Sequence, residues 1–197
     1  MVAVLEVSSP NSQQERLWAP WRIGYVSGDD AEAAARDPLP DPAVLLAGAE
    51  PNCFLCRAAA APADAASDRA NHVVQRRQST VVVLNRYPYN NGHLLIAPRR
   101  HLGDFQEVPA DVHAEITRSI GELLAVVGRI FRVDGFNVGL NLGRAAGAGL
   151  PGHLHWHVVP RWQGDHNFMA TTAGTRVIPQ SLDAAWQVLS DAVGGAE

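Results

Sequence analysis

Three histidines alternate with apolar residues in the segment His-Leu-His-Trp-His, at positions 153, 155 and 157. Alternate residues of a strand project from one face, so a strand here presents all three imidazoles together. Leu154 and Trp156 project from the other face, which is the core side. An exposed polar strand face accounts for one such histidine better than for three in strict alternation. The pattern therefore predicts a chemical site built on His153, His155 and His157.

Two kinds of chemistry suit this arrangement. The first is metal binding, although the outer two of three alternate strand residues lie about 13 Å apart at the backbone. Metal–nitrogen bonds of about 2.0–2.1 Å let two of the histidines share a tetrahedral ion, but all three only if the strand bends. The second is nucleophilic catalysis at phosphorus, because neutral imidazole is abundant at pH 7 and forms a phosphoramidate that can be hydrolysed. The spacing of the three histidines is compatible with both metal binding and nucleophilic catalysis.

The two cysteines of the chain, Cys53 and Cys56, form a Cys-x-x-Cys pair. A redox pair is expected in the strand-to-helix setting of a βαβ unit, and that pattern is absent here. Two thiolates at this spacing can share one tetrahedral zinc ion, so half of a zinc site is the better interpretation. Two more ligands are then required, and His101 and His153 are candidates.

The elements that must position these residues run in the order strands, helix, strands, helix. A β-branched run, Thr80–Leu84, and an apolar run, His93–Ala97, flank a turn-rich segment, which predicts an antiparallel pair. Apolar residues recur at helical spacing over Ala110–Phe131, directly after Pro109. Further predicted elements are strands over Phe136–Leu142 and His153–Val159 and a helix over Leu182–Val193. Without regular βαβ alternation, this order favours an α+β fold on an antiparallel sheet, with one long helix and a C-terminal helix.

Length and composition indicate one globular domain with an appended arm. The chain has 197 residues, of which 47% are hydrophobic and 18% charged. We expect a flexible tail over residues 1–16 and a single domain over 17–197, whose core spans about 72–180 and whose aromatic arm, LWAPWRIGYV, packs on the body or on a partner. A net charge of −4 provides no overall field for nucleic acid. The apolar stretches are too short to span a membrane, and two cysteines without an export signal predict a cytoplasmic protein.

Several segments together resemble one family. The string His-Leu-His-Trp-His-Val-Val matches the signature of the histidine-triad (HIT) superfamily. The strings LNRYPYNNGH, FNVGLNLG, PRWQGDHNF and LWAPWR resemble its bacterial branch, that of the diadenosine tetraphosphate phosphorylases or ATP adenylyltransferases. They occur in the family's order and cover most of residues 17–180. The resemblance therefore implies a HIT-like fold.

The resemblance also assigns catalytic roles. It implies that His155 is the nucleophile, which attacks the α-phosphorus of a nucleotide and forms a nucleotidyl-histidine. This role requires a free Nε2 lone pair, and therefore an Nδ1–H held by a backbone carbonyl. His157 matches the histidine that contacts the phosphate and assists the leaving oxygen, and His93 matches a further histidine of the phosphate site.

For the nucleotide, the resemblance implies that Asn85 binds the ribose hydroxyls and that Asn141 lies beside the phosphates. Gly147 and Gly149 belong to a glycine-rich loop whose backbone N–H groups can approach phosphate oxygens. Many family members carry Ser, Thr or Gln shortly before the triad, where this chain has Gly149, Leu150, Pro151 and Gly152. That difference leaves open whether inorganic phosphate or water discharges the intermediate.

The resemblance further implies a structural zinc ion. Several bacterial HIT proteins, and the related galactose-1-phosphate uridylyltransferases, bind zinc at positions that correspond to Cys53, Cys56, His101 and His153. In this arrangement His153 serves the metal while His155 and His157 face the nucleotide. Whether a second divalent cation accompanies the substrate stays open.

Together these observations predict a nucleotidyl transferase or hydrolase that cleaves dinucleoside polyphosphates, with diadenosine tetraphosphate as the leading substrate and phosphorolysis favoured. The alternatives are a nucleoside phosphoramidase or acyl-nucleotide hydrolase, which uses the same residues, and a zinc-stabilised nucleotide-binding protein. By resemblance, the expected assembly is a homodimer.

Overall fold

A five-stranded antiparallel sheet organises the part of the chain that the computed structural model describes, residues 44–165 and 178–194. The strands are β1 (Val73–Arg76), β2 (Thr80–Leu84), β3 (Leu94–Pro98), β4 (Gly135–Leu140) and β5 (Trp156–Arg161), in the spatial order β1-β2-β3-β5-β4. The helices are α1 (Phe54–Ala60), α2 (Ala65–Ala70), α3 (Ala110–Phe131) and α4 (Leu182–Gly194), and short 3₁₀ turns lie at Phe105–Glu107 and Arg144–Ala146. The predicted tail and aromatic arm, residues 1–26, lie outside the described residues.

The boundaries of β2 and α3 agree with the prediction to the residue. Helix α3 begins after Pro109, whose fixed φ suits a helix start. The helix ends at Arg132, where a left-handed backbone with φ +50° terminates the hydrogen-bonding pattern.

The prediction of a strand over His153–Val159 is wrong at its beginning. Strand β5 starts at Trp156, because only from there do Ile96 of β3 and Leu140 of β4 provide partners on both sides. Before that point the backbone N–H of His153 donates to Leu150 at 3.3 Å, within a turn. The first two histidines of the triad therefore precede the strand, and His157 lies within it.

The sheet separates two apolar clusters. Helices α3 and α4 pack on one face, against Val82, Leu94 and Ile96. Helix α1 covers the other face with Leu55 and the two cysteines. Because side chains alternate along a strand, β3 presents Leu95 and Ala97 to the α1 side.

Two of the histidines predicted to be catalytic, His157 and His93, share this α1 face. His157 pairs in register with Leu95, and His93 lies two residues before Leu95 along the same chain. Their parity directs them towards α1 and away from the long helix. The site thus lies on the face that the shorter segment, residues 44–70, covers.

The two edges of the sheet have different surroundings. Helix α4 covers the β1 edge, where Trp186 Nε1 donates to the Val73 carbonyl at 2.8 Å. Strand β4 forms the opposite edge, and Val138 on it is 43% exposed. Within the described ranges, no helix combines the length and apolar character that a bilayer crossing requires.

Candidate functional site

Three of the predicted site residues, His93, His155 and His157, lie next to one another. The ring centroids of His155 and His157 are 5.0 Å apart, and those of His93 and His157 are 5.1 Å apart. His93 Nε2 and His157 Nδ1 form a hydrogen bond of 2.9 Å. One residue of β5 and the residues that directly precede β5 and β3 thus build one histidine cluster.

His155 has the hydrogen bond that a nucleophile needs. Its Nδ1 donates to the backbone carbonyl of His153 at 2.8 Å, so its proton is on Nδ1 and Nε2 keeps a lone pair. The side chain is 7% exposed, and burial lowers its pKa below the ordinary value. His155 is therefore a neutral imidazole at pH 7, and its Nε2 is in the basic form that a nucleophile requires.

Two hydrogen-bond donors face one ring nitrogen of His93, Nδ1. The backbone N–H of Tyr89 donates to Nδ1 at 3.0 Å, and the Asn85 amide nitrogen lies 3.2 Å from the same atom. The His93 side chain is fully buried, and burial, followed by the charges of His157 and His155, lowers its pKa to about 3. His93 is thus neutral at physiological pH.

Asn85 connects the histidine cluster to a cavity of about 200 Å³. Helix α1 and Asn52, two residues before it, contribute to the cavity wall, as do the end of β2 and the glycine-rich loop. The lining residues include Asn52, Phe54, Arg57, His72, Asn85 and Gly149. Among the residues that the structure describes, no carboxylate side chain lines this cavity, so this part of the wall suits an anionic or uncharged ligand.

The other two residues predicted to bind the nucleotide, Asn141 and Gly147, lie in the segment between β4 and β5. Gly147 ends the 3₁₀ turn with φ +86°, a conformation that favours glycine. Asn141 follows Leu140, which pairs with Trp156 beside the histidines. Neither lines the cavity, although both lie in the segment that leads from β4 to the triad.

The four predicted metal ligands, Cys53, Cys56, His101 and His153, form one cluster. Their ligand atoms all lie within 4.8 Å of one another. Cys53 Sγ is 3.2 Å from His153 Nδ1, and Cys56 Sγ is 3.2 Å from His101 Nδ1. Zinc bonds of about 2.3 Å to sulfur and about 2.0–2.1 Å to nitrogen place tetrahedral ligands roughly 3.3–3.8 Å apart. The donor set and the spacing both fit such an ion.

The protonation of this cluster also suits a metal. His153 Nε2 donates to the Pro98 carbonyl at 2.8 Å, which leaves Nδ1 as the lone-pair nitrogen towards the cysteines. A hydrogen bond from Cys53 lowers the pKa of the Cys56 thiol, whereas the same contact and burial raise the pKa of Cys53. One thiolate is therefore favoured even without an ion, and thiolates are the form that zinc binds.

Helix α1 is fixed at both ends relative to this cluster. Cys53 precedes the helix, and Cys56 lies in its first turn. At the other end, Arg76 Nη1 donates to the Ala58 carbonyl at 2.8 Å and Arg99 Nη2 to the Ala59 carbonyl at 3.1 Å. The helix that lines the cavity is thus attached to the sheet and to the metal ligands.

Tyr89 is a site residue that the sequence analysis missed. Its ring stacks on His157 with centroids 5.6 Å apart and an interplanar angle of 20°, and it also contacts His93. Its backbone N–H binds His93. The turn-rich string NRYPYNNG was the available signal, but it did not indicate which backbone groups face the histidines.

Comparisons with known proteins agree on one family. A family model for the HIT domain matches residues 67–164. An AP-4-A phosphorylase of Mycobacterium tuberculosis is 39% identical over 170 residues, which cover 86% of this chain and 80% of that protein. An uncharacterised HIT-like protein of Saccharolobus solfataricus is 30% identical over 98 residues, 50% of this chain and 70% of that one.

Among solved structures, a zinc-bound histidine triad family protein of Mycobacterium smegmatis aligns with a TM-score of 0.52 and 25% identity. The alignment covers 64% of this chain and 87% of that chain. The five-stranded sheet with its flanking helices is therefore a fold that other histidine triad proteins share.

Proposed function

The chain belongs to the HIT domain family, and we propose that it is an enzyme that cleaves dinucleoside polyphosphates, with diadenosine tetraphosphate as the leading substrate. The observation that carries the proposal is the 2.8 Å hydrogen bond from His155 Nδ1 to the His153 carbonyl. It presents a neutral imidazole with its Nε2 lone pair available, beside two further histidines. A binding protein does not need a nucleophile prepared in this way.

The proposed reaction has two displacements at the α-phosphorus. His155 Nε2 forms a bond to phosphorus, and the bond to the bridging oxygen breaks, so that the electron pair leaves with ATP. In the second step an oxygen of inorganic phosphate attacks the adenylyl-histidine, and the nitrogen–phosphorus bond breaks to return the lone pair to His155. The products are ADP and ATP. Water in place of phosphate would give AMP.

The other predicted residues supply binding and charge stabilisation. His157 and His93 act at the phosphate side, where His157 contacts the leaving oxygen. Asn141 and the backbone N–H groups at Gly147 and Gly149 stabilise the equatorial phosphate oxygens as negative charge grows on them.

We assign the nucleoside to the cavity of about 200 Å³ beside Asn85. Phe54 provides an apolar surface for a base, and it is 37% exposed, so it is accessible from that side. Asn85 lies where the cavity meets the histidine cluster, as a ribose-binding residue must when the base occupies the cavity and the α-phosphate faces His155. The position of Asn85 in the cavity wall therefore supports its proposed role in ribose binding.

Zinc is the metal we propose for Cys53, Cys56, His101 and His153. When bound, it supplies a structural cross-link between the start of α1 and the turn before β5. The substrate does not need to reach it, because four protein ligands complete a tetrahedral site. Both cysteines are free thiols in the structure, and reduced thiols are consistent with the proposed cytoplasmic location.

The expected homodimer would form through the β4 edge. This edge has no neighbour within the described part of the chain, and Val138 and Leu142 near it are 43% and 53% exposed. Pairing two β4 strands across a twofold axis would continue the sheet and bury these side chains. Sedimentation equilibrium tests this assembly, and a monomeric mass at micromolar concentration would contradict it.

Product analysis with purified protein and diadenosine tetraphosphate tests the proposed activity. ADP and ATP that appear only when inorganic phosphate is added are the expected result. AMP formed without phosphate would assign the second step to water, and no products under either condition would overturn the proposal. His155→Ala is the matched variant, and it should abolish turnover while nucleotide binding remains measurable.

A further inference from the structure

We propose that Asn85 is a positioning residue that acts together with the backbone N–H of Tyr89 to keep the proton of His157 on Nε2, and that this restricts the enzyme to leaving groups that depart as stable anions. This role differs from ribose binding, and it rests on the proposed function for its consequences on catalysis. The hydrogen bonds that lead from a backbone turn to His157 carry the inference.

The first step is the orientation of the Asn85 side chain. The backbone N–H of Tyr87 donates to Asn85 Oδ1 at 3.0 Å. A backbone N–H can only donate, so this contact fixes which end of the amide is oxygen. The amide nitrogen, Nδ2, then lies 3.2 Å from His93 Nδ1 as a donor.

The second step is the tautomer of His93. Its Nδ1 faces two donors, Asn85 Nδ2 and the backbone N–H of Tyr89 at 3.0 Å, so Nδ1 carries no proton. The proton of the neutral ring is therefore on Nε2. His93 Nε2 donates it to His157 Nδ1 at 2.9 Å, and His157 must carry its own proton on Nε2.

The third step concerns the charge that His157 can accept. A proton added to His157 Nδ1 would face the Nε2–H of His93 across 2.9 Å. His93 could relieve this contact only by moving its own proton to Nδ1, towards two donors that already point at that atom. Asn85 is 7% exposed and His93 is fully buried, so water does not readily replace these partners. His157 is thereby held as a neutral imidazole.

A neutral His157 can stabilise one class of leaving group and not another. It can donate a hydrogen bond from Nε2, but it cannot give that proton away without becoming an imidazolate anion. When the bond from phosphorus to a polyphosphate oxygen breaks, the electron pair stays on an oxygen that is stable as an anion and needs only this hydrogen bond. When a phosphorus–nitrogen bond breaks, the departing nitrogen must gain a proton to leave as an amine. The geometry therefore favours phosphoric anhydrides over phosphoramidates.

The substitution Asn85→Asp replaces the hydrogen-bond donor that faces His93 Nδ1 with an acceptor. A carboxylate offers only acceptors, so its charge would favour a proton on His93 Nδ1 over the hydrogen bond that the Tyr89 N–H donates to this atom. His93 Nε2 would then accept a hydrogen bond from His157 Nδ1, and His157 could become an imidazolium whose Nε2–H is a transferable proton. The Tyr87 N–H still has an oxygen to bind, so the turn keeps its anchor.

The kinetic test compares diadenosine tetraphosphate with adenosine 5′-phosphoramidate, which have the same adenylyl group and different leaving groups. In Asn85→Asp the ratio of kcat/KM values should shift towards the phosphoramidate by at least about tenfold relative to the wild type. Asn85→Ala is the control, because it removes any ribose contact but leaves the Tyr89 donor on His93. It should lower both kcat/KM values together and leave their ratio within about threefold. Equal ratios in the Asp and Ala variants would overturn the proposal.

A spectroscopic test does not depend on turnover. Nitrogen-15 NMR of histidine-labelled protein, with His93 and His157 assigned by substitution, reports which ring nitrogen carries each proton. We expect both protons on Nε2 in the wild type and a proton on Nδ1 of His93 in Asn85→Asp. A wild-type His157 protonated on Nδ1 would overturn the proposal. If neither substrate is cleaved, the proposed function fails, and the tautomers still decide the role of Asn85.

Discussion

The backbone carbonyl of His153 accepts the Nδ1–H of His155 at 2.8 Å, while the side chain of His153 lies in the cysteine cluster. One residue therefore contributes to both sites. Its imidazole is a metal ligand candidate, and its carbonyl selects the tautomer of the proposed nucleophile, His155. The position of this turn, and with it the direction of the His155 lone pair, depends on how the cysteine cluster is held.

Sequence neighbours of the same cluster line the cavity. Phe54 and Arg57 each directly follow a cysteine, and both line the cavity. Leu150 also lines the cavity, three residues before His153, and its carbonyl accepts the hydrogen bond from the His153 N–H. Metal binding and nucleotide binding should therefore be coupled, and by linkage each ligand should strengthen the other.

Removal of the metal should weaken nucleotide binding as well as stability. We expect Cys56→Ser to reduce bound zinc, to lower the Tm by about 10 °C and to weaken AMP binding on the order of tenfold. Elemental analysis, thermal unfolding and calorimetry measure the three effects. A chelator should shift wild-type protein towards the same values and leave Cys56→Ser unchanged. Unaltered AMP affinity in metal-free protein would show that the cavity wall does not depend on the ion.

A second prediction concerns the close approach of Gly152 to the proposed metal ligand His101. A Cβ at position 152 would lie 3.3 Å from His101 Nε2, so Gly152→Ala should displace that ring. We expect about tenfold weaker zinc binding, measured by competition with a chromophoric chelator. Gly121→Ala is the matched control, because a Cβ there meets nothing within 4 Å. Gly121 lies on the exposed surface of α3. Gly121→Ala should therefore raise the free energy of unfolding by about 0.5–1 kcal/mol and leave zinc affinity unchanged.

The sequence determines local elements better than it determines where strands begin. The run Thr80–Leu84 and the helical spacing of Ala110–Phe131 are local patterns, and both elements agree with the prediction to the residue. The beginning of β5 at Trp156 depends instead on Ile96 and Leu140, partners that lie far away in the chain. Periodicity over 153–159 could not reveal that the first histidines precede the strand.

The residues of the candidate site divide in the same way, into those that a local motif or the resemblance predicts and those that depend on the folded backbone. The Cys-x-x-Cys pair predicted half of a metal site, and the resemblance supplied His101 and His153, which the fold brings to the cysteines from 45 and 100 positions away. The donors on His93 were not predictable in this way. They are the side-chain amide of Asn85, which the backbone N–H of Tyr87 orients, and the backbone N–H of Tyr89. A turn-rich string does not specify which N–H group points inward.

A third prediction concerns the buried hydroxyl of Ser119 on α3. Ser119 is fully buried, and Oγ has no hydrogen-bond partner among the described residues. Ser119→Ala should therefore raise the free energy of unfolding by about 1 kcal/mol, because a buried polar group without a partner is removed. Urea denaturation measures it. Thr80→Val is the contrast, since Thr80 Oγ1 donates to Glu115 at 2.6 Å and its loss should destabilise by about 1 kcal/mol. Destabilisation by Ser119→Ala would indicate that the hydroxyl has a partner.

The last prediction is a loss of stability in acid that arises from His93. Its pKa is about 3 in the folded protein, chiefly because of burial, and about 6.5 in an unfolded chain. Between these values the unfolded state binds a proton that the folded state does not, so the free energy of unfolding falls as the pH falls from 6.5 towards 3. For this group alone the loss from pH 7 to pH 5 is about 2 kcal/mol.

His93→Gln removes the titrating ring, so its unfolding free energy should fall less steeply over this interval than that of the wild type. Urea denaturation at half-unit pH steps measures both curves. Since His93 is neutral in both states above pH 7.5, the two proteins should there differ by a constant amount, which reports only the lost contacts. Parallel curves between pH 7 and pH 5 would show that His93 gains its proton in the folded protein, and would contradict the neutral ring on which the hydrogen bond to His157 depends.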